Sequence, residues 1–432
     1  MYNFKSNSED TINKMLEEIG EKDLKDLYSM IAKSALMENL DLPAAKSEME
    51  VQKIIKSIAK ENKTEYSNFM GAGAYNRFIP AAVSQISSRF EFSTAYTPYQ
   101  PEISQGTLQV IYEFQSMICD LTGMEVCNAS VYDAGNACAE AMLMASRISG
   151  KDRILVSQCI NPEYIKVIQT YAHAGNLQVE IIEKEEYRTK YEILKDKLSS
   201  GEYAGLIIQT PNYFGTIEDI EAIKAIEKHQ KTMLIVCTDL MSDIVLKKPS
   251  EYGADIVVGD VQSFGNTMSF GGPYAGFIAT LDKYKRQMPG RIVGKTLDAD
   301  GKQAFTLTLQ AREQHIRREK ATSNICSNQG LAVLNSVLYL ALMGKNGVKQ
   351  ASYLSAKNAK ILSDGLKSKG YNVLNNNFFN EFVLEVNNAD TFIEEMKLKR
   401  ILAGVRLSEK EILVCTTEMN TKEEIQEYIN AV

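Results

Sequence analysis

Residues 206–258 read LIIQTPNYFGTIEDIEAIKAIEKHQKTMLIVCTDLMSDIVLKKPSEYGADIVV. Three apolar runs stand in this stretch, at 206–208, 234–236 and 256–258, each too short for a helix. Between the first two, Ile220, Ile223 and Ile226 recur at the spacing of one helix face, so 217–228 reads as a helix. Strand, helix and strand in that order predict βαβ units. They therefore predict a mainly parallel sheet covered on both faces.

Outward from this stretch the alternation continues. Apolar runs at 154–156 and 179–182 extend it upstream. Downstream, the glycine-rich segment 269–280 reads as a strand entered through a tight turn. After Gln329 comes an apolar helix, 331–343, ending at Gly344, and then a helix at 347–369. A strand at 382–386, a helix at 391–399 and a strand at 412–415 complete a smaller α/β domain. At the other end, Ile12, Met15, Leu16 and Ile19 follow Ser8, a helix N-cap, and Gly20 closes the helix. Leu24, Leu27 and Tyr28 continue the pattern, and 47–61 gives another polar-faced helix. Such a short arm cannot bury its own apolar stripe, so it must dock on the body or on another subunit. The expected organisation is an arm over 1–66, a large α/β domain over 67–330 and a small one over 331–432.

A chain of 432 residues with 44% apolar and 24% charged residues is ordinary for a soluble globular protein. Its net charge of −7 argues against a nucleic-acid footprint, which needs a basic face. The polar start shows no secretory signal, and no stretch approaches the ~20 consecutive apolar residues of a membrane span. The 7 cysteines are scattered without CxxC spacing, and only His173, His229 and His315 are present. A disulfide framework or zinc site is not expected, and the reading is a cytoplasmic protein with reduced thiols.

Two phosphate-loop lookalikes fail on spacing. Gly290 and Gly294 precede Lys295-Thr296 but enclose three residues where a Walker loop needs four, and Gly71-Ala-Gly73 lacks a third glycine. A better anion site is the turn at Asp133, Gly135 and Asn136, which opens the helical run 137–146 and offers free N–H groups. An ordinary loop, with Asp133 or Asn136 as N-cap, fits the same residues. Asp239 ends the strand at 234–236, where open α/β sheets place ligand groups. Its carboxylate suits a pyridinium nitrogen or, equally, the cap of the next helix. The loop 94–106, TAYTPYQPEISQG, is rich in Tyr, Pro and amides, which favours a site or an interface. Residues 314–324, QHIRREKATSN, run from basic to small polar side chains just before a helix, and suit an anion.

Together, the segments GAGAY (71–75), 94–106, MICDLTGMEVCN (117–128), PNYFGTIED (211–219), SFGGPYAG (269–276), MPGRIVG (288–294) and AREQHIRREKATSNIC (311–326) closely resemble the P-protein family of the glycine cleavage system. The form matched is the alpha chain of enzymes split into two chains, over residues from about 66 to 345. The resemblance implies the fold of type I pyridoxal phosphate (PLP) enzymes. It also implies decarboxylation of glycine, with release of CO2 and transfer of the aminomethyl group to the lipoyl arm of the H-protein. The implied partner is a PLP-bearing beta subunit in an α2β2 heterotetramer.

The cofactor-bearing subunit of the family has a His-Lys pair before its glycine-rich turn, because covalent attachment needs a lysine that forms a Schiff base. The matching positions here are Gln262 and Ser263, and no lysine lies between Lys248 and Lys283. This chain is therefore expected to hold no covalent PLP and to be inactive alone. Asp133, Gly135, Asn136, Asp239, Gln262 and Ser263 would be the remnant of a cofactor pocket. Arg77 stands where a His is usual, and Asp133-Ala-Gly135-Asn136 replaces the usual Asp-Gly-Ala-Thr, which weakens phosphate binding. Tyr96, Tyr99, Gln100 and Glu102 are expected at the heteromeric interface near the partner's PLP, with Thr322, Ser323 and Asn324 as contacts to its phosphate. The alternative is a purely structural or regulatory partner that contributes no active-site group.

Overall fold

The computed structural model describes residues 7–37, 41–62, 64–93 and 95–432. The chain forms two compact units, Met1–Thr64 and Glu65–Val432. In the first, helix α1 spans Glu9–Ile19, with the Ser8 side chain accepting from the Thr11 N–H and Gly20 at φ 80° closing it. A 3-10 turn follows at Leu24–Tyr28. Helix α2 spans Glu48–Ala59 and starts with a reciprocal Ser47–Glu50 capping box. Its apolar stripe, Val51, Ile54, Ile55 and Ile58, is exposed.

The second unit is built on a seven-stranded sheet. Its strands are β1 (Val126–Cys127), β2 (Arg153–Ser157), β3 (Gln178–Ile182), β4 (Tyr203–Thr210), β5 (Met233–Thr238), β6 (Ile256–Asp260) and β7 (Gly276–Thr280). The order is β1-β7-β6-β5-β4-β2-β3. All five apolar runs of the sequence became neighbouring parallel strands, from β3 across to β6. The glycine-rich segment became β7, which runs antiparallel between β1 and β6. Strand side chains alternate between two cores, as period two requires. Leu155, Leu206, Leu234, Val236 and Val257 face one. Ile154, Val156, Ile207, Ile235 and Val258 face the other. Burying each such side chain fully contributes roughly 1.5–3 kcal/mol, so the doubly covered strands dominate the cohesion of this unit.

The expected helix at 217–228 is shorter, Ile220–Lys224, with Asp219 as its N-cap. Three β-branched isoleucines favour helix only weakly. The chain beyond is drawn off by a tertiary bond, His229 N–H donating to the Leu198 carbonyl at 2.9 Å, and by a local turn in which Thr232 N–H donates to the His229 carbonyl at 2.8 Å.

Helices α3 (Gln105–Thr122), α4 (Ala134–Ser149) and α5 (Pro162–Ala174) pack on the sheet. The long helix α6, Gly330–Ser368, is broken at Gly344 (φ 58°, ψ 178°), a conformation that glycine adopts without a Cβ clash. Its Val333, Val337 and Tyr339 are buried in the sheet's core, so its apolar character is that of a core helix. The C-terminal layer holds β8 (Glu381–Glu385), β9 (Val405–Arg406) and β10 (Glu411–Cys415), antiparallel in the order β8-β10-β9. Helices α7 (Ala389–Leu398) and α8 (Lys422–Ala431) lie with it. Its core includes Phe69, which the sequence places more than three hundred residues away, because Ser67–Asn68 pairs in parallel with Ile401–Leu402.

Candidate functional site

The parallel strands end together at one edge of the sheet, and several side chains singled out in the sequence lie there. Asp239 follows β5. Its Oδ1 accepts from Met241 N–H at 3.0 Å, the capping role. Its Oδ2 is buried without a hydrogen-bond partner among the described residues. Burial raises the carboxyl above its ordinary range, while the Arg77 charge opposes the rise. One oxygen thus performs the cap and the other faces a polar interior. The capping reading describes Oδ1.

Asp133 caps α4, with Oδ1 accepting from Asn136 N–H at 2.7 Å. The positive end of this helix is therefore met by the chain's own carboxylate. Asn136 is buried and donates to the Tyr171 hydroxyl at 2.9 Å. A Cβ on Gly135 would come 3.2 Å from Tyr164 Cδ1 and 3.4 Å from Val167 Cγ2, so the turn leaves little room. Gly276, at the end of SFGGPYAG, has a plainer reason. A Cβ there would stand 2.2 Å from the Asp133 carbonyl oxygen, so only glycine lets β7 pass.

Gln262 and Ser263 follow β6 and are both buried. The Gln262 carboxamide is fully engaged. Its oxygen accepts from Tyr75 N–H at 2.9 Å, and its nitrogen donates to the Tyr75 carbonyl at 3.0 Å and the Asn266 carbonyl at 2.9 Å. A two-way amide bond of this kind copies a strand pair and clamps the GAGAY segment onto the β6 turn.

That segment runs on into a buried polar cluster which the sequence did not disclose. Gly71 lies so close to the C-terminal layer that a Cβ would meet Glu381 Oε1 at 2.2 Å. Glu381 Oε1 accepts from Ala72 N–H at 2.6 Å, and Oε2 accepts from the Tyr75 hydroxyl at 2.8 Å. Burial pushes Glu381 up to about 7, against the pull of those two bonds. Asp260, at the end of β6, is likewise raised by burial to about 7. Arg77 donates to Ser355 Oγ at 2.7 Å and pairs with Glu418 at 2.8 Å, both side chains nearly sealed from solvent. Its Nε and Nη2 have no partner among the described residues. Glu381 and Glu418 carry no local motif. Their only sequence signal is a carboxylate beside an apolar strand, so they emerge only from the fold.

The two polar loops meet elsewhere, on the surface. Thr94 lies outside the described residues. Tyr96, at 88% exposure, shares a 2.8 Å hydrogen bond between its hydroxyl and Ser327 Oγ. The Tyr99 hydroxyl accepts from Arg291 Nη2 at 3.1 Å, and the same nitrogen donates to the Cys326 carbonyl. Arg291 therefore ties residues 96–99 to 326–327. Gln100 and Glu102 are exposed. Thr322 Oγ1 donates to the Arg312 carbonyl at 3.3 Å and Ser323 Oγ to Glu140 Oε1 at 2.7 Å, so both hydroxyl protons are used internally. Of these three residues Asn324 alone is exposed. The structure thus separates the singled-out residues into two groups, an interior one around Asp239 and Gln262 and a surface one around Tyr96 and Tyr99.

Among the described residues no cluster of His, Cys, Asp and Glu is arranged to hold a metal. Nor do the interior residues fit a covalently held aldehyde cofactor. Position 263 offers a hydroxyl in place of an amine, and the Gln262 carboxamide is spent on Tyr75 and Asn266.

Comparison with known proteins agrees in sequence and in fold. The model of the family described as "Glycine cleavage system P-protein" matches residues 3–432. A protein of Carboxydothermus hydrogenoformans named "Probable glycine dehydrogenase (decarboxylating) subunit 1" is 42% identical over 430 residues, covering 97% of each chain. A protein of the same name from Listeria innocua is 43% identical over 426 residues, covering 96% of this chain and 95% of its own. A crystal structure of glycine decarboxylase (P-protein) in inhibitor-bound form superposes with a TM-score of 0.92 at 35% identity, covering 100% of this chain and 99% of the other. A sphingosine-1-phosphate lyase of Burkholderia pseudomallei shares the fold alone, at a TM-score of 0.66 and 12% identity over 94% of this chain and 93% of its own. The architecture is that of type I PLP enzymes, and the chain belongs to the P-protein family of the glycine cleavage system.

Proposed function

We propose that this chain is the subunit of a two-chain, cytoplasmic glycine decarboxylase that does not hold PLP, the cofactor residing on a partner beta subunit. The assembled enzyme, an α2β2 heterotetramer, decarboxylates glycine, releases CO2 and passes the aminomethyl group to the lipoyl arm of the H-protein. The observation that carries this reading is the Gln262 clamp. Where a cofactor-bearing chain needs an amine, this one has Ser263, beside an amide whose oxygen and nitrogen both bond to the Tyr75 backbone. Such a site is built for cohesion. The role this reading leaves to the chain is to close the partner's site, orient glycine and keep water out, through Tyr96, Tyr99, Gln100 and Glu102 with Thr322, Ser323 and Asn324.

The test is exchange of the glycine carboxyl carbon with bicarbonate. The isolated chain is expected to give none, and mixing it with its cofactor-bearing partner to restore exchange. Robust exchange by the isolated chain would overturn the reading. A purely structural partner is the second possibility, and the internal bonds of Thr322 and Ser323 favour it.

A further inference from the structure

Asp243 closes the single helical turn Leu240–Asp243 that follows β5. It is 5% exposed, and its two oxygens differ. Oδ1 lies 2.8 Å from Thr238 Oγ1, while Oδ2 has no hydrogen-bond partner among the described residues. Thr238 Oγ1 also lies 3.2 Å from the Thr210 carbonyl oxygen. A hydroxyl carries one proton and cannot give it fully to both acceptors. Both contacts are satisfied together when Asp243 is the neutral acid: it donates to Thr238 Oγ1, and Thr238 donates to Thr210. Burial raises this carboxyl well above its ordinary range, with Asp239 adding to the rise and the Thr238 bond and Lys248 opposing it.

Asp243 also forms part of the wall of a cavity of about 460 Å³ beside the end of β4. The other charged groups of this wall are already engaged. Glu218 is buried and accepts from Thr189 N–H and Oγ1, the Tyr191 hydroxyl and Asn212 Nδ2. At the exposed rim Lys247 pairs with Glu221 at 2.8 Å, and Arg188 with Glu185 at 3.3 Å. Both rim cations thus have carboxylates of their own. Tyr252, buried near Asp243, is the second unengaged polar group: its hydroxyl has no hydrogen-bond partner among the described residues. Ile217, Ile220 and Leu246 supply apolar wall. An open carboxyl oxygen, a phenol oxygen near it and an aliphatic wall suit a cationic N–H donor on a short apolar body.

We propose that this cavity binds a small primary alkylammonium compound, whose N–H groups donate to Asp243 Oδ2 and the Tyr252 hydroxyl while its alkyl part lies against Ile217, Ile220 and Leu246. Binding exchanges one cation for one proton. The Asp243 proton leaves to solvent as the ammonium arrives, and the Thr238 proton turns from the Thr210 carbonyl to Asp243 Oδ1. The net charge of the cavity is unchanged, so the buried acid takes the cation without a further counter-ion. Around Asp243 stand Asp239 and Lys248 on its own segment, and Glu218, Asp219 and the two rim pairs across the cavity. Carboxyl groups outnumber cations among them, which favours the exchange. The inference is independent of the two-chain reading, since every residue in it belongs to this chain.

The experiment titrates the full-length chain alone with n-butylammonium chloride in a calorimeter at about pH 7, against sodium chloride of equal ionic strength. The expected dissociation constant is on the order of 1–10 mM, ordinary for so small a ligand. About one proton should be released per ammonium bound, read from the dependence of the heat on the buffer's ionisation. Tetramethylammonium, which has the charge and no N–H, should bind about tenfold more weakly or worse. Asp243→Asn should weaken n-butylammonium about tenfold or more and abolish the proton release. Tyr252→Phe should weaken binding a few-fold and keep the proton release. No saturable heat with the wild-type chain, equal binding of tetramethylammonium, or binding without proton release would overturn the proposal. Undiminished binding by Asp243→Asn would do the same. Should that variant not fold, the proton release of the wild-type chain and the weaker binding of Tyr252→Phe decide in its place.

Discussion

The polar groups at the sheet edge and those on the two surface loops are of similar chemistry, yet they are held in opposite ways. In the interior, Gln262 bonds to Tyr75, Tyr75 to Glu381 and Arg77 to Glu418, each turned toward another side chain or backbone of the same chain. On the surface, Tyr96 and Tyr99 are fixed sideways by Ser327 and Arg291 while their rings remain exposed. The first arrangement spends most of its polar atoms inside the chain, while Asp239 Oδ2 and Arg77 Nε and Nη2 stay without a partner among the described residues. The second spends bonds on orientation and keeps donors and apolar area facing outward, which is preorganisation for something outside the chain. Substitutions in the interior should therefore act on stability, and substitutions on the loops on activity of the complex.

The largest expected effect lies in the interior. Arg77→Met removes one member of a buried ion pair and leaves Glu418 and Ser355 facing an apolar side chain. Removing one partner of a buried pair costs about 3–5 kcal/mol, because the remaining charge is uncompensated. Denaturant unfolding of the isolated chain measures this. A loss below about 1 kcal/mol would show that the cluster is not what holds GAGAY to the C-terminal layer.

Next in size is a dependence on pH. Glu381 is raised on folding from 4.5 to about 7, chiefly by burial, with Asp239 adding to the rise and Tyr75 and Arg77 opposing it; Cys415 also adjoins it. The folded state then binds the proton more tightly than the unfolded state. Stability from this group is complete below about 4.5 and is lost as pH climbs through about 7. The loss is of the order of 3 kcal/mol for a shift of this size. Asp260, raised from 3.8 to about 7, adds a fall of the same sign. Glu381→Gln should flatten the stability profile between pH 5 and pH 8 by roughly that amount. An unaltered slope in the variant would remove Glu381 from the titrating groups.

The fold was legible where chain-local physics decides it. The runs at 206–208, 234–236 and 256–258 became strands because apolar β-branched residues bounded by polar turns have few other options. Ser8, Gly20 and Gly344 marked helix ends because caps and left-handed breaks act within one turn. The helix at 217–228 was overextended, since bonds from His229 to Leu198 lie outside any local window. Of the site, Asp239 and Asp133 were legible through their places at strand and helix ends. Glu381 and Glu418 were not, because their significance lies in meeting Tyr75 and Arg77 across more than three hundred residues. The opposite orientations of the two loop groups were also hidden. Which hydroxyl is spent at home depends on neighbours such as Arg312 and Glu140, and sequence spacing does not reveal them.

The smallest expected change in stability gives the sharpest test of the comparison, and it pairs two hydroxyls of the loop surface. The Tyr99 oxygen accepts from Arg291 Nη2 at 3.1 Å. Among the described residues none takes the proton of its own O–H, which remains a donor for a group outside the chain. Tyr99→Phe keeps the ring beneath the Arg291 guanidinium, 5.4 Å from its centroid, and removes only the oxygen. Arg291 retains its bond to the Cys326 carbonyl, so the isolated chain should lose about 1 kcal/mol or less. Thr322 is the counterpart: its proton goes to the Arg312 carbonyl at 3.3 Å, and Thr322→Ala should cost a similar amount of stability. Their effects on turnover should differ. If the outward phenol serves the partner's site, Tyr99→Phe lowers glycine–bicarbonate exchange by the reconstituted complex about tenfold or more, a barrier increase of roughly 1.4 kcal/mol. Thr322→Ala, whose hydroxyl is already committed, should lower it several-fold less. Equal losses in both variants would mean that loop rigidity matters rather than the outward donor. Unchanged exchange in both, with complex formation intact, would remove these hydroxyls from the shared site and leave this chain as a structural partner.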